Sequence, residues 1–171
     1  MTPSPIDEFL QVALACVGAQ EVPVGSNGGF FVERCQKVTG TAGLKPGAAW
    51  CASFVAMVGQ ATFGKSWPLP LTASCAELGA FATKKNILDA APQRGDLFVV
   101  YFDSLNRFAH VGIVVEVKDG VTIRSVSGNT LDPVRHADEG SSMREGWCVS
   151  DRPWRLAAKD RFIRWVNLLP G

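Results

Sequence analysis

The chain has 171 residues, 47% of them hydrophobic and 19% charged, with a formal net charge of +1. This length and composition fit one globular domain, residues 1–171, with a full-sized core, and exclude a disordered chain. The near-neutral charge excludes the broad basic footprint of a nucleic-acid-binding protein.

No apolar run approaches the ~18 residues of a membrane span, so no membrane insertion is expected. The N-terminus, Met1-Thr2-Pro3-Ser4-Pro5-Ile6-Asp7-Glu8, places acids where a secretory signal needs apolar residues. The expectation is synthesis in the cytoplasm without a signal peptide, with any outside action depending on release or delivery.

Ser4-Pro5-Ile6-Asp7 predicts a helix start, with Ser as cap, Pro in the first turn and an acid near the positive end. Ile6, Phe9, Leu10, Ala13, Leu14 and Val17 then recur at helical spacing, and Gly18 ends the run. A glycine-rich loop from Gln20 to Gly29 follows, in which Asn27 is expected to cap a second helix carrying Phe30, Phe31, Val32, Cys35 and Val38.

Gly40 to Gly47 is a turn-rich link into a third helix that starts at Cys51 and ends near Gly64. Ala52, Phe54, Val55, Ala56, Val58 and Ala61 make it largely apolar and fit for burial. Trp67-Pro68-Leu69-Pro70-Leu71 must be extended, because a residue before proline avoids the helical region. Thr72 or Ser74 opens a further helix that fades at Lys84-Lys85-Asn86.

From Arg94-Gly95-Asp96 onward the pattern is β. Strands are expected at 97–102, 110–117 and 121–127, with Lys118-Asp119-Gly120 as a hairpin turn and Gly128-Asn129-Thr130 as a second turn. Residues 103–109 and 131–143 are expected as loops. Two shorter strands are expected at 147–150 and 162–166. Helices first and an antiparallel meander afterwards make an α+β domain, with N-terminal helices packed on a C-terminal antiparallel sheet.

Five cysteines occur, at positions 16, 35, 51, 75 and 148, with no CxxC pair, so neither a zinc knuckle nor a disulfide framework is expected. Cys51 differs from the others by its place at a helix start, where free N–H groups and the helix dipole favour a thiolate. The competing reading is a small buried hydrophobe. A cysteine nucleophile needs a base, and only His110 and His136 exist. His110 opens a strand, whereas His136 sits in a polar loop. Asn129 follows the end of the strand that the hairpin pairs with His110's strand, so both fall at one edge of the sheet. An amide there can orient an imidazole; an Asn after Gly128 also suits a left-handed turn.

In order along the chain stand Glu21-Val22-Pro23-Val24-Gly25-Ser26-Asn27-Gly28, Trp50-Cys51-Ala52-Ser53-Phe54-Val55, Arg94-Gly95-Asp96, His110-Val111-Gly112-Ile113-Val114, Ser127-Gly128-Asn129, Arg144-Glu145-Gly146 and Phe162-Ile163-Arg164-Trp165. This ordered set resembles the CHAP family, the cysteine- and histidine-dependent amidohydrolases and peptidases of the papain-like, NlpC-type group. The resemblance implies a papain-like core, bacterial peptidoglycan as substrate, Cys51 as nucleophile, His110 as base and Asn129 as the third member. Some members carry Glu two residues before that Asn, where this chain has Ser127. Some bind calcium through acids ahead of the cysteine; residues 39–50 contain none, so no calcium, other metal or cofactor is expected.

Trp50, Glu21, Asn27 and Arg144 are the candidate substrate contacts, with plain packing at a helix start as the other reading of Trp50 and a surface ion pair as that of Arg144 and Glu145. A zinc-dependent wall amidase is the rival enzyme, poorly served by two histidines. A catalytically silent module of a phage tail or secretion assembly is the rival without chemistry.

Overall fold

The computed structural model describes residues 2–44, 47–130 and 148–169. Lys45 and Pro46, the 131–143 loop with His136, and Arg144, Glu145 and Trp147 lie outside the described residues.

Four α-helices precede a six-stranded sheet among the described residues: α1 Pro5–Ala15, α2 Phe30–Val38, α3 Cys51–Phe63 and α4 Cys75–Lys84, then β1 Leu88–Asp89, β2 Leu97–Phe102, β3 Arg107–Val117, β4 Thr122–Thr130, β5 Cys148–Arg155 and β6 Arg161–Ile163. The layout is α+β. Strand order is β1-β6-β2-β3-β4-β5, antiparallel throughout. The meander expected from sequence therefore holds for β2 to β5. The last strand returns to the other side of β2 and is joined there by the short β1, whose two residues are too few to show a period.

Each helix start has a local cause. Ser4 and Asp7 form a reciprocal capping box on α1. Ser74 Oγ accepts from Glu77 N at 3.2 Å and caps α4. The cap of α2 is Gly29 rather than Asn27. Gly29 has φ +101°, and a side chain there would meet Val22 N at 2.8 Å, so glycine alone fits the entry into this helix.

α3 is the central helix. Cys51 through Ala56, Val58 and Gly59 are all buried, while Ala61, expected on the apolar side, is exposed. α3 lies on the face of β3 that carries Val111, Ile113 and Val115, and these residues share one core with Phe54, Val55 and Val58. At its far end, Phe9, Trp67 and Trp165 pack with ring centroids 4.9–5.3 Å apart, tying α1 and the C-terminal turn to α3. The opposite face of the sheet buries a smaller group of Phe98, Val100, Val114, Ile123 and Phe162.

Arg94-Gly95-Asp96 ties the sheet to the C-terminal segment. Asp96, 3% exposed, pairs with Arg164, and Gly95 O accepts from Trp165 Nε1 at 2.7 Å. Burial pushes the Asp96 carboxyl up, and the Arg164 contacts oppose that rise.

Several strand boundaries differ from the sequence reading. β3 begins at Arg107, and only Asp103–Leu105 of the expected loop forms a turn. β4 continues through Asn129 to Thr130, because residues after Val126 go on pairing with β5. β5 runs on to Arg155, and the end expected to be strand at 165–166 is a short 3-10 turn.

Candidate active site

The start of α3 is clamped from outside itself. No side chain caps it, since its cap position is Trp50. Glu21 instead holds the side chain of that cap residue. It is 1% exposed, its Oε1 accepts the Trp50 indole N–H at 2.9 Å, and its Oε2 accepts Asn27 N at 3.0 Å. Gln36, also buried, donates from Nε2 to Asn27 O at 3.0 Å and to Ala48 O at 2.9 Å. One carboxylate and one amide thus lock the 21–29 loop, α2 and the segment before Cys51 together.

Of the expected substrate contacts, Trp50 and Glu21 are buried and Asn27 is half-buried. Trp50 is fully buried, edge-on to Phe31 with centroids 6.1 Å apart, so it packs rather than facing a ligand. Glu21 is buried with both oxygens engaged. Asn27 acts through its backbone, in the left-handed region at φ 49°. The three hold the nucleophile's helix in place. Arg144 lies outside the described residues.

Cys51 is the first residue of α3 and 5% exposed. Opposite it stands Cys75, the first residue of α4, with the two Sγ atoms 3.6 Å apart. The Cys51 pKa lies well below the ordinary thiol value. The largest cause is the hydrogen bond with Cys75. Burial opposes it, while the nearby His110 ring and the Val111 N–H add to it. Cys75 is held well above the ordinary value by the same bond and by its own burial. The two shifts run in opposite directions from one shared contact, which favours ionisation of Cys51 over Cys75.

The sheet opens to admit this sulfur. Among the described residues, the pairing of β3 with β4 stops at Ile113↔Val126, although β3 continues back to Arg107 and β4 on to Thr130. β4 stays with β5 as the two leave β3. The gap frees the Val111 N–H, which favours the Cys51 thiolate, and leaves His110 and Asn129 on the two lips.

His110 is 1% exposed. Its ring stacks on Trp154, centroids 5.8 Å apart and planes 13° apart, and lies 6.1 Å from Phe98. Neither ring nitrogen, nor Asn129 Oδ1, has a hydrogen-bond partner among the described residues. The hydrogen bond expected from sequence between His110 and Asn129 is thus not made in this conformation. Asn129 is 2% exposed and left-handed at φ 54°, so it has the backbone that the turn reading required, inside a strand. Catalytic hydrogen bonds that are loose without substrate often tighten only when it binds.

Two glycines set how closely the parts approach. A side chain on Gly128 would meet Trp50 at 2.7 Å and Phe54 at 2.8 Å, so β4 lies directly on the start of α3. One on Gly112 would meet Ser127 Oγ at 2.3 Å and Phe98 at 2.5 Å. Beyond His110, a cavity of about 360 Å³ is lined by Val100, Tyr101, Phe102, Arg152 and Trp154 among others. Val100 is the cross-strand partner of His110, so this cavity shares two walls with the imidazole. Among the described residues no group of three or more His, Cys, Asp or Glu side chains is placed to hold a metal.

Sequence reading missed Cys75, Trp154 and Gln36. Ser74-Cys75 carried a helix-start signal like that of Cys51, which was the available hint. Nothing local marks the other two.

A cysteine at the start of a core helix, set against the edge of an antiparallel sheet that carries a histidine, is the papain-like arrangement. The CHAP domain family matches residues 43–129, just over half of the chain, and the chain belongs to that family. CHAP domains are in general hydrolases of the amidase and peptidase type, a class associated with peptidoglycan. No curated protein matches the chain.

Proposed function

We propose that the protein is a cysteine-dependent peptidoglycan hydrolase that cleaves an amide bond of the cell-wall peptide, as an amidase or endopeptidase. The observation that carries this reading is the Cys51 thiol held low at the start of α3 with His110 beside it.

Cys51 attacks the scissile carbonyl as a thiolate. His110 holds the proton and gives it to the leaving amine, and later takes one from the water that releases the acyl group. The Cys51 backbone N–H, free at the first turn of α3, faces the developing oxyanion. Asn129 orients His110 once substrate draws the two lips together. The cavity beside Trp154, with Arg152 and Tyr101 in its wall, is the surface assigned to the stem peptide. The chain acts on the wall after release or delivery from the cell that makes it.

Cys51→Ala and His110→Ala should each abolish lysis of purified cell walls while leaving the thermal unfolding transition in place. Lysis by Cys51→Ala would overturn the reading. A second reading, a silent papain-like module of a phage or secretion assembly, draws on the unengaged His110 nitrogens and Asn129 Oδ1. It requires that the wild-type chain release no fragments from defined peptidoglycan, which mass spectrometry reads directly.

A further inference from the structure

Cys75 forms no bond in the reaction proposed above, yet it is the group that touches the nucleophile. All five cysteines are free thiols. Two of them, each the first residue of its helix, aim their sulfurs at one another across 3.6 Å. A disulfide needs about 2 Å, so the sulfurs have about 1.5 Å to close. The helix starts fix the backbones, and the remaining approach falls to rotation about the two Cα–Cβ bonds.

We propose that Cys51 and Cys75 are an oxidative modification site, at which a peroxide converts the pair to an intramolecular disulfide that blocks the nucleophile and a dithiol restores it. The Cys51 thiolate attacks one peroxide oxygen. The O–O bond breaks, hydroxide leaves, and Cys51 becomes a sulfenic acid. Cys75 sulfur then attacks the sulfenic sulfur. The S–S bond forms, the S–O bond breaks, and the Cys75 proton leaves with that oxygen as water. The two sulfurs together lose two electrons, which the peroxide accepts.

The other thiols are set apart from this chemistry. Burial pushes the Cys35 thiol up to about 12 and raises Cys16. Cys148 is buried, and its thiol donates to Thr130 O at 3.3 Å. A second cysteine within reach also spares Cys51 further oxidation. A sulfenic acid that meets a thiol stops at the reversible disulfide, and one that meets none proceeds to sulfinic acid. The blocking of a nucleophile rests on the function proposed above; the bond itself does not, and a mass readout separates the two.

The test treats the full chain, reduced and then freed of reductant, with hydrogen peroxide at small molar excess. The expected result is loss of two of the five thiols, a mass change of about −2 Da, and a Cys51–Cys75 cross-linked peptide after proteolysis, all reversed by dithiothreitol. Cys75→Ser should instead carry sulfinic acid at Cys51 that dithiothreitol does not remove. Sulfinic acid at Cys51 in the wild-type chain, with Cys75 still free, would overturn the proposal. So would a cross-link that joins Cys16 to Cys35 instead. The wild-type peptide map decides the matter alone if Cys75→Ser fails to fold. A cross-link formed in a chain that never lyses walls would keep the site and remove the proposed function.

Discussion

The Glu21 carboxylate accepts the indole N–H of Trp50 at 2.9 Å, and Trp50 immediately precedes the candidate nucleophile. The bond is fully buried, and Glu21 also accepts Asn27 N. Glu21→Ala leaves the buried Trp50 indole N–H and the partly buried Asn27 N–H without an acceptor. A loss of about 2–4 kcal/mol of folding stability is expected by urea titration. Glu21→Gln keeps one acceptor and should lose about half as much. Equal stability of Glu21→Ala and wild type would contradict the clamp.

The depressed Cys51 thiol fixes a pH profile. A thiol with the ordinary value of 9.0 is alkylated roughly tenfold faster for each unit of rising pH up to that value. Cys51 is lowered well below it, so its iodoacetamide rate should rise less steeply with pH than those of the other thiols. Cys75→Ala removes the largest cause of the lowering and should steepen that rise. Peptide-resolved alkylation kinetics measure both.

Asn129 sits at φ 54°, a backbone that glycine adopts at no steric cost. Asn129→Gly therefore separates the two roles of this residue. If its amide orients His110 during the reaction, activity should drop about a hundredfold, well beyond what the loss of a buried side chain takes from stability. Full activity in Asn129→Gly would leave Asn129 as a turn residue alone.

Gly128 lies against Trp50 and Phe54 with no room for a methyl group. Gly128→Ala must push β4 away from α3, widening the gap in which Cys51 sits. A destabilisation of about 1–3 kcal/mol is expected, the usual cost of overpacking a filled core. Lysis should fall by more than the unfolded fraction explains, because the same shift carries Asn129 outward. Calorimetry and lysis on one preparation compare the two.

The helices were legible because their signals are local. Ser4-Pro5 and Ser74 are caps, the apolar positions of α1 repeat at the helical period, and α3 is a largely apolar run. Cys51 stood out because its helix start was readable, and His110 because only two histidines exist. The remainder depends on contacts between distant residues. Glu21 and Trp50 are 29 positions apart, Gln36 reaches Ala48 across 12, and Cys51 reaches Cys75 across 24. No period links such pairs. The packing of Trp50 and Glu21 was hidden for the same reason: adjacency to the nucleophile was readable, but burial was not. The end of β4 was misread because Gly128-Asn129 is turn chemistry, and pairing with β5 carries the strand through it.

The family-matched segment, 43–129, contains Cys51, Cys75, His110 and Asn129, yet neither side chain that clamps the start of α3. Glu21 and Gln36 both come earlier in the chain. A fragment cut to the matched boundaries would keep every reacting atom and lose the buried acceptor for Trp50 and the donor to Ala48. Its Cys51 would sit on a fraying first turn, with Phe54 N bonded to Trp50 O as the nearest backbone tether. In this chain, the position of the sulfur is set by residues that precede the family-matched segment.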